Sequence, residues 1–218
     1  IVQMNVLSVI TTLHKGGAEA HLLLLVQGLL ARGVTCEVAF LRSRVKGGSI
    51  DLREAFERAG VRTHYLGCEH PFDPRSGPRL NRLLANGKWD LLHSHLPRAD
   101  GAAMFCKLAD RGRVWISTIH HPYDNAYSGA RLIPLLAPMW RHADGVIAVS
   151  EPVRQWAISR LGVSRHTVRT IVHGVEPKVC GASIPAPVDA PGARCSIGSI
   201  GRLEERKGHD TLIRAMVT

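Results

Sequence analysis

Short apolar stretches alternate with helical patterns about seven times along this chain, and this alternation is the feature that most constrains its fold. The first apolar stretch, residues 4–10, is followed by helical spacing of leucines over residues 18–32. Strands that alternate with helices run parallel and are joined by right-handed crossovers. The sequence therefore predicts an α/β protein with a doubly wound parallel sheet.

The same patterns place the other elements of the sheet. Further strands are expected at residues 35–41, 61–66, 90–95, 113–119, 145–150 and 170–172. Helices are expected at residues 49–59, 78–85, 98–109 and 151–161, and a helical region at 128–142 is broken by Pro134 and Pro138. Ser150 is expected to cap the helix that begins at Glu151.

A proline-rich stretch, residues 177–192, divides the chain and contains four of its twelve prolines. We interpret it as a linker between a first domain, residues 1–176, and the start of a second, residues 193–218. That start consists of a short strand at 193–197, a glycine loop from Gly198 to Gly208 and a helical pattern with apolar residues on one face. Because the chain ends ten residues after Gly208, we expect this second domain to be incomplete.

Net charge and cysteine usage narrow the class of protein. A formal net charge of +10 favours anionic partners such as nucleotide phosphates or phospholipid headgroups. Nucleic acid is not expected, because aromatic residues make up only 5% of the chain and do not interleave with basic ones. The five cysteines form no CxxC pair, which is typical of free thiols in a reducing cytoplasm.

Glycines and histidines follow the strand ends, where open parallel sheets bind their ligands. Gly16 and Gly17 open the first helix, and their amides could approach a phosphate, although a tight turn alone would also need glycine. His93 and His95 end the fourth strand on one face, a spacing that metal sites also use. His120 follows the fifth strand, where an imidazole can bind a hydroxyl or act as an acid or base.

Basic residues form two further candidate sites. Arg202 and Lys207 leave the glycine loop of the second domain and could together hold a diphosphate. A second set of basic residues lies partly in the loop after the second strand and partly on either side of the apolar run at 132–140, and it suits either an anionic membrane surface or ordinary solvation. Its members are Arg42, Arg44, Lys46, Arg131 and Arg141.

Six motifs, taken in order, resemble those of the retaining glycosyltransferases of the GT-B fold, family four. They are Gly16-Gly17-Ala18-Glu19, DLLHSH at 90–95, TIH at 118–120, VIAVS at 146–150, IVHGVE at 171–176, and Gly201-Arg202 with Lys207-Gly208. In the fifth motif His173 stands where the family usually has asparagine.

This resemblance implies two Rossmann-like domains, of which the first binds the acceptor and the second the nucleotide-sugar. The sugar would pass to an acceptor hydroxyl with retention of configuration, and cationic side chains would replace a metal, so that no metal or cofactor is expected. The expected catalytic residues are His120, Arg202 and Lys207. The expected donor-phosphate residues are Gly16, Gly17, Arg202 and Lys207, and the acceptor-side residues are His14, Glu19, His95 and His120.

The resemblance also sets expectations for partners and for the activity of this chain. The acceptor is expected to be a sugar, a polyol or a lipid-linked sugar, and the protein to be cytoplasmic and peripheral on the inner face of the membrane. The family's paired glutamates, which have seven residues between them, do not occur after Lys207, so we expect the chain alone to be inactive. Two alternatives stay open: a metal-dependent hydrolase using His93, His95, His120 and His121, and a non-catalytic binding module.

Overall fold

The computed structural model describes residues 4–43, 50–70, 72–123, 136–175, 197–201 and 207–216. The chain divides into two compact units, Ile1–Glu176 and Pro177–Thr218. Several predicted features lie outside the described residues, among them the linker at 177–192 and the basic residues Arg44, Lys46, Arg131 and Arg202.

The first unit contains a seven-stranded sheet in which every pair of neighbours is parallel, in the order β3-β2-β1-β4-β5-β6-β7. This arrangement confirms the prediction of a doubly wound α/β sheet. The strands are β1 (Asn5–Ile10), β2 (Thr35–Phe40), β3 (Arg62–Tyr65), β4 (Leu91–His95), β5 (Trp115–Ile119), β6 (Gly145–Ala148) and β7 (Val168–Thr170).

Helices connect the strands and cover both faces of the sheet. They are α1 (Gly17–Leu30), α2 (Arg53–Arg58), α3 (Ser76–Ala85), α4 (Pro97–Ala109), a 3₁₀-helix (Ala137–His142) and α5 (Glu151–Leu161). The bounds of α5 agree with the prediction: Ser150 accepts a hydrogen bond from the amide of Val153, and Gly162 ends the helix in the left-handed conformation.

Most other elements differ from their predicted bounds by one or two residues at an end, and two of the differences have a clear cause. Helix α2 begins at Arg53 and not at Ser49, because residues just before it bond to the loop after β1: the Leu52 amide donates to the Leu13 carbonyl. Strand β7 covers Val168–Thr170 and not 170–172, because its pairing with β6 begins at Val168.

Alternate residues of β1 face two hydrophobic cores, as expected for a sheet covered on both sides. Leu7 and Val9 belong to the core that contains the fully buried Trp115 and Trp140. Val6 and Ile10 belong to the second core, under α1 and α2, with members such as Leu22, Val26 and Phe56. Each fully buried side chain of this size stabilises the fold by about 1.5–3 kcal/mol.

The second unit is described over residues 197–201 and 207–216, and contains α6 (His209–Ala215). Ile197, expected to end a strand, lies outside any helix or strand. The apolar side chains of Ile200, Ile213 and Met216 are exposed. Among the described residues of either unit, no helix combines the length and apolar character that crossing a membrane requires.

Candidate functional site

The order of the strands reverses direction between β1 and β4, which are neighbours in the sheet although β2 and β3 come between them in the chain. Ligands of doubly wound sheets bind at such a switch point, beyond the carboxyl ends of the strands. Ile10, the last residue of β1, pairs with His95, the last residue of β4. Most of the histidines identified from sequence therefore lie at or next to this edge of the sheet.

The two glycines before α1 have different structural roles. A Cβ added to Gly16 would come too close to Oε2 of the buried Glu19, so a larger residue there would displace the glutamate side chain. Gly17 is exposed, and a Cβ added to it would meet no described atom within 4 Å. The N-terminus of α1 at Gly17 therefore has open space in front of it, together with the partial positive charge of a helix end.

Glu19 and His14 hold the glycine loop in place. Glu19 accepts a hydrogen bond from the Thr12 hydroxyl at 3.1 Å, and only 8% of its surface is exposed. His14 bonds through Nε2 to the Ser43 carbonyl at 2.8 Å, and it forms an isolated antiparallel bridge with Asp51. The structure therefore shows two of the four predicted acceptor-side residues, His14 and Glu19, hydrogen-bonded to the protein itself.

The ends of β4 and β5 bring three predicted histidines together. The buried His93 bonds through Nε2 to the Thr118 hydroxyl at 2.7 Å. His95, which has no exposed surface, bonds through Nδ1 to Nε2 of His120 at 3.1 Å. The rings of His93 and His95 lie 4.1 Å apart, which confirms that their spacing places them on one face. Leu96 follows immediately with φ of 74°, a strained conformation for leucine.

Two further histidines, His21 and His173, complete this cluster. The ring of His21, from α1, stacks on that of His173, which follows β7, with centroids 3.5 Å apart and planes 10° apart. Both lie near His120, at ring-centroid distances of 5.9 and 5.1 Å. Sequence reasoning assigned neither a role. Two signals in the sequence could have identified them. His21 lies one helical turn after the glycine pair, and His173 replaces the asparagine that is usual in the family.

The imidazoles of this cluster are neutral at pH 7. Burial, with His173 as a second cause, lowers the pKa of His21 to about 4. Burial lowers the pKa of His93 and of His120 to about 3, with smaller contributions from neighbouring histidines. Burial and the same neighbours hold the pKa of His95 well below its usual range. Each ring therefore offers one N–H and one unprotonated nitrogen.

Three buried nitrogens of the cluster have no hydrogen-bond partner among the described residues. They are Nε2 of His95, Nδ1 of His120 and Nε2 of His173. Buried polar atoms in native proteins nearly always have partners, and an unpaired one costs about 1–3 kcal/mol. A ligand with hydroxyl groups could satisfy such atoms, because a hydroxyl both donates and accepts.

On the opposite face of β4 and β5, Asp100 forms a fully paired polar network. Its Oδ1 accepts hydrogen bonds from the hydroxyls of Ser94 and Ser117 at 2.6 and 2.8 Å, and its Oδ2 accepts one from the Trp140 indole at 3.1 Å. Complete burial raises the pKa of Asp100 to about 7, although these hydrogen bonds favour the ionised form. Asp100 therefore ties α4 to the two strands that position the histidines.

The hydrolase alternative lacks a metal centre in the part of the chain that the structure describes. No group of three or more histidine, cysteine, aspartate or glutamate side chains there could hold a metal ion. His121 bonds instead to the Pro122 carbonyl, and Asp124 lies outside the described residues. Cys36, Cys68 and Cys106 are free thiols, each of them buried.

The structure describes three of the basic residues identified from the sequence: Arg42, Arg141 and Lys207. Lys207 is exposed in the second unit, and Arg202 lies outside the described residues. Arg42 forms an ion pair with Glu69 at 3.9 Å, and Arg141 bonds to the Leu161 carbonyl at 3.4 Å. These two members of the predicted membrane-facing set therefore have protein partners.

Comparison with protein families gives a match over most of the first unit. Residues 15–179 match the model described as Glycosyltransferase Family 4. The phosphatidyl-myo-inositol mannosyltransferase of Mycobacterium leprae (strain TN) is 28% identical over 206 residues, which cover 92% of this chain and 53% of that protein. The chain thus spans about half the length of this curated relative.

Solved structures share the fold of the first unit. Anabaena HepE, in complex with UDP-glucose, superposes with a TM-score of 0.63 at 16% identity, over 80% of this chain and 45% of that one. The lipopolysaccharide outer core galactosyltransferase WaaB, in its apo form, gives a TM-score of 0.60 at 13% identity, over 81% and 47%. At such low identity the likeness extends to the fold alone.

Proposed function

The chain belongs to glycosyltransferase family 4, and from this premise we propose that it provides the acceptor-side unit of an enzyme that transfers a sugar from a nucleotide-sugar to an acceptor hydroxyl with retention of configuration. The observation that carries the proposal is the cluster of neutral histidines at the switch point of the sheet, beside the open N-terminus of α1. Neutral imidazoles suit a ligand that presents hydroxyl groups.

The acceptor is, in this proposal, a polyol or sugar carried on a lipid. The relative named above is a phosphatidyl-myo-inositol mannosyltransferase, whose name combines a polyol with a phospholipid. His120 contacts a hydroxyl of the acceptor or of the transferred sugar, and the net charge of +10 favours an anionic membrane surface on the inner face of the membrane.

The donor is a nucleotide-sugar, as in the HepE complex with UDP-glucose. We assign its diphosphate to Lys207 and Arg202, and its approach to the first unit to the amides of Gly16 and Gly17. The open space in front of Gly17 supports this assignment, since a backbone amide there can approach a phosphate closely. No metal or cofactor is part of the proposal, and we expect this chain alone to transfer little sugar.

Titration calorimetry of the chain with glycerophosphoinositol, the soluble headgroup of such a lipid, tests the acceptor role. We expect saturable binding that weakens about tenfold in His120→Ala, because one lost hydrogen bond to a neutral group is worth about 1 kcal/mol or slightly more. His142→Ala is the matched control, since His142 is an exposed histidine on the 3₁₀-helix. Equal affinity of the two variants, or no binding by the wild type, would contradict the proposal.

A further inference from the structure

Neither ring nitrogen of His120 is available to a ligand in this structure. Its Nε2 shares a hydrogen bond of 3.1 Å with Nδ1 of His95. Its Nδ1 is buried and has no partner among the described residues. The proposed function assigns His120 a contact with a ligand hydroxyl, so a group that covers Nδ1 must move before that contact can form.

The rings around His120 differ in how firmly the fold holds them. His93 and His95 are buried in β4, and the pairing of β4 with β1 and β5 fixes them. His21 and His173 are partly exposed, and the centroids of their stacked rings lie 5.9 and 5.1 Å from that of His120. The stacked pair is therefore the part of this layer that can move without breaking the sheet.

His173 reaches His21 through a segment that turns back across the sheet. We call this segment, residues 171–175, the strap. It follows β7, which lies four strand spacings of about 4.8 Å from β1. His21 lies on α1, the helix that follows β1 in the chain. The strap must therefore run back toward β1, past the carboxyl end of β5 where His120 lies, for the two rings to stack.

Few contacts anchor the strap. At its base, the amide of Ile171 donates to the Ala148 carbonyl at 2.9 Å. Among the described residues, 172–175 form no backbone hydrogen bond, and His173 is the one residue of the strap that is not exposed. A segment with few hydrogen bonds and exposed side chains opens at a low cost in free energy. The contacts of the His173 ring, above all its stack on His21, therefore hold the strap in place.

We propose that the stacked pair of His21 and His173 is a gate over His120, and that the strap opens to admit a hydroxyl of the ligand. Burial lowers the pKa of both stacked rings, so they are neutral at pH 7 and do not repel each other. An aromatic pair shifts the equilibrium between closed and open strap by about two- to tenfold. The gate is a property of the chain, and only the identity of the ligand rests on the proposed function.

Modification by diethyl pyrocarbonate at pH 7 tests the gate without a ligand, because this reagent attacks accessible unprotonated imidazole nitrogens. Peptide mass spectra give the rate for each histidine. In the wild type, His120 should react much more slowly than the exposed His142. His173→Ala and His21→Ala should each raise the rate at His120 by about two- to tenfold, because the stack that keeps the strap closed is lost.

Val172→Ala is the matched control for the labelling experiment. It removes an exposed side chain of the strap and leaves both stacked rings in place, so the rate at His120 should not change. The gate is wrong if His120 of the wild type reacts as fast as His142. An unchanged rate at His120 in both folded variants, His173→Ala and His21→Ala, would also overturn it.

Binding of glycerophosphoinositol separates the gate from the proposed function. Closure of the strap competes with the ligand, so calorimetry should show His173→Ala binding about two- to tenfold more tightly than the wild type. Equal or weaker binding by His173→Ala would contradict the gate, because the pair would then be an inert cover or a ligand contact. If neither protein binds this headgroup, the proposed function fails, and the labelling rates decide whether the gate exists.

Discussion

Acidification from pH 7 to pH 5 should destabilise the first unit, and two single substitutions should change this effect in opposite directions. His93 has an ordinary pKa of 6.5 when unfolded and about 3 when folded, because burial disfavours its charged form. Its stabilising contribution is therefore present above pH 6.5 and is lost as the unfolded state takes up a proton below it. Between pH 7 and pH 5 the loss from this residue is about 2 kcal/mol.

Asp100 changes stability with pH in the opposite direction to His93. Its pKa rises from 3.8 in the unfolded chain to about 7 in the fold, so the folded state takes up the proton first as the pH falls. Its contribution to stability is fully present below pH 3.8 and is lost as the pH rises through 7. As the pH falls from 7 to 5, Asp100 therefore adds about 2 kcal/mol to the free energy of unfolding. This gain opposes the losses from His93 and His120.

Urea unfolding followed by tryptophan fluorescence measures these effects in the first unit, because all four tryptophans lie there. His93→Gln keeps an amide near Thr118 and does not titrate, so its loss of unfolding free energy between pH 7 and pH 5 should be smaller than that of the wild type by about 2 kcal/mol. Asp100→Asn should be less stable than the wild type at every pH. Between pH 7 and pH 5 its unfolding free energy should fall by about 2 kcal/mol more than that of the wild type. Equal pH dependence in all three proteins would refute the reasoning.

Three further predictions concern the glycine loop and a buried thiol. Gly17→Ala should leave the free energy of unfolding unchanged or raise it by up to about 1 kcal/mol, because alanine favours helices more than glycine does. The same substitution should weaken binding of a nucleotide-sugar. Thermal unfolding measures the first effect and calorimetry the second, with Gly28→Ala as the control within α1. Gly16→Ala should cost about 1–3 kcal/mol by displacing Glu19, and an equal cost in a Glu19→Ala background would contradict that cause. Cys106, whose pKa burial raises to about 12, should resist iodoacetamide at pH 8 until the chain unfolds, and labelling of the folded chain in peptide mass spectra would show the thiol to be accessible.

The sheet could be predicted because its signals are local. Apolar runs of strand length alternate with helical spacing, and Ser150 and Gly162 mark both ends of α5 within a few residues. The start of α2 could not be predicted, because its displacement to Arg53 depends on a bond from Leu52 to Leu13, nearly forty residues earlier in the chain. Long-range contacts of this kind leave no periodic signal in the sequence.

The candidate site was predictable in its place and less so in its members. The rule that ligands bind at strand ends selected His93, His95 and His120. It did not select His21, because a histidine within a leucine-rich helix resembles any surface position until the helix is packed on the sheet. The stack with His173 joins residues 152 positions apart, and only the fold brings these two rings together.

If the proposed function is correct, burial at the edge of the sheet would divide the chemistry between the two units. A cluster of charged imidazoles would attract phosphate, but burial keeps these rings neutral, so the histidine cluster offers hydrogen bonds without positive charge. In the proposed enzyme, cationic side chains for a diphosphate would then come from elsewhere, and the exposed Lys207 of the second unit is the candidate that the structure describes. In the proposed enzyme the histidines would then orient hydroxyls, and the stabilisation of the departing nucleoside diphosphate would fall to the second unit.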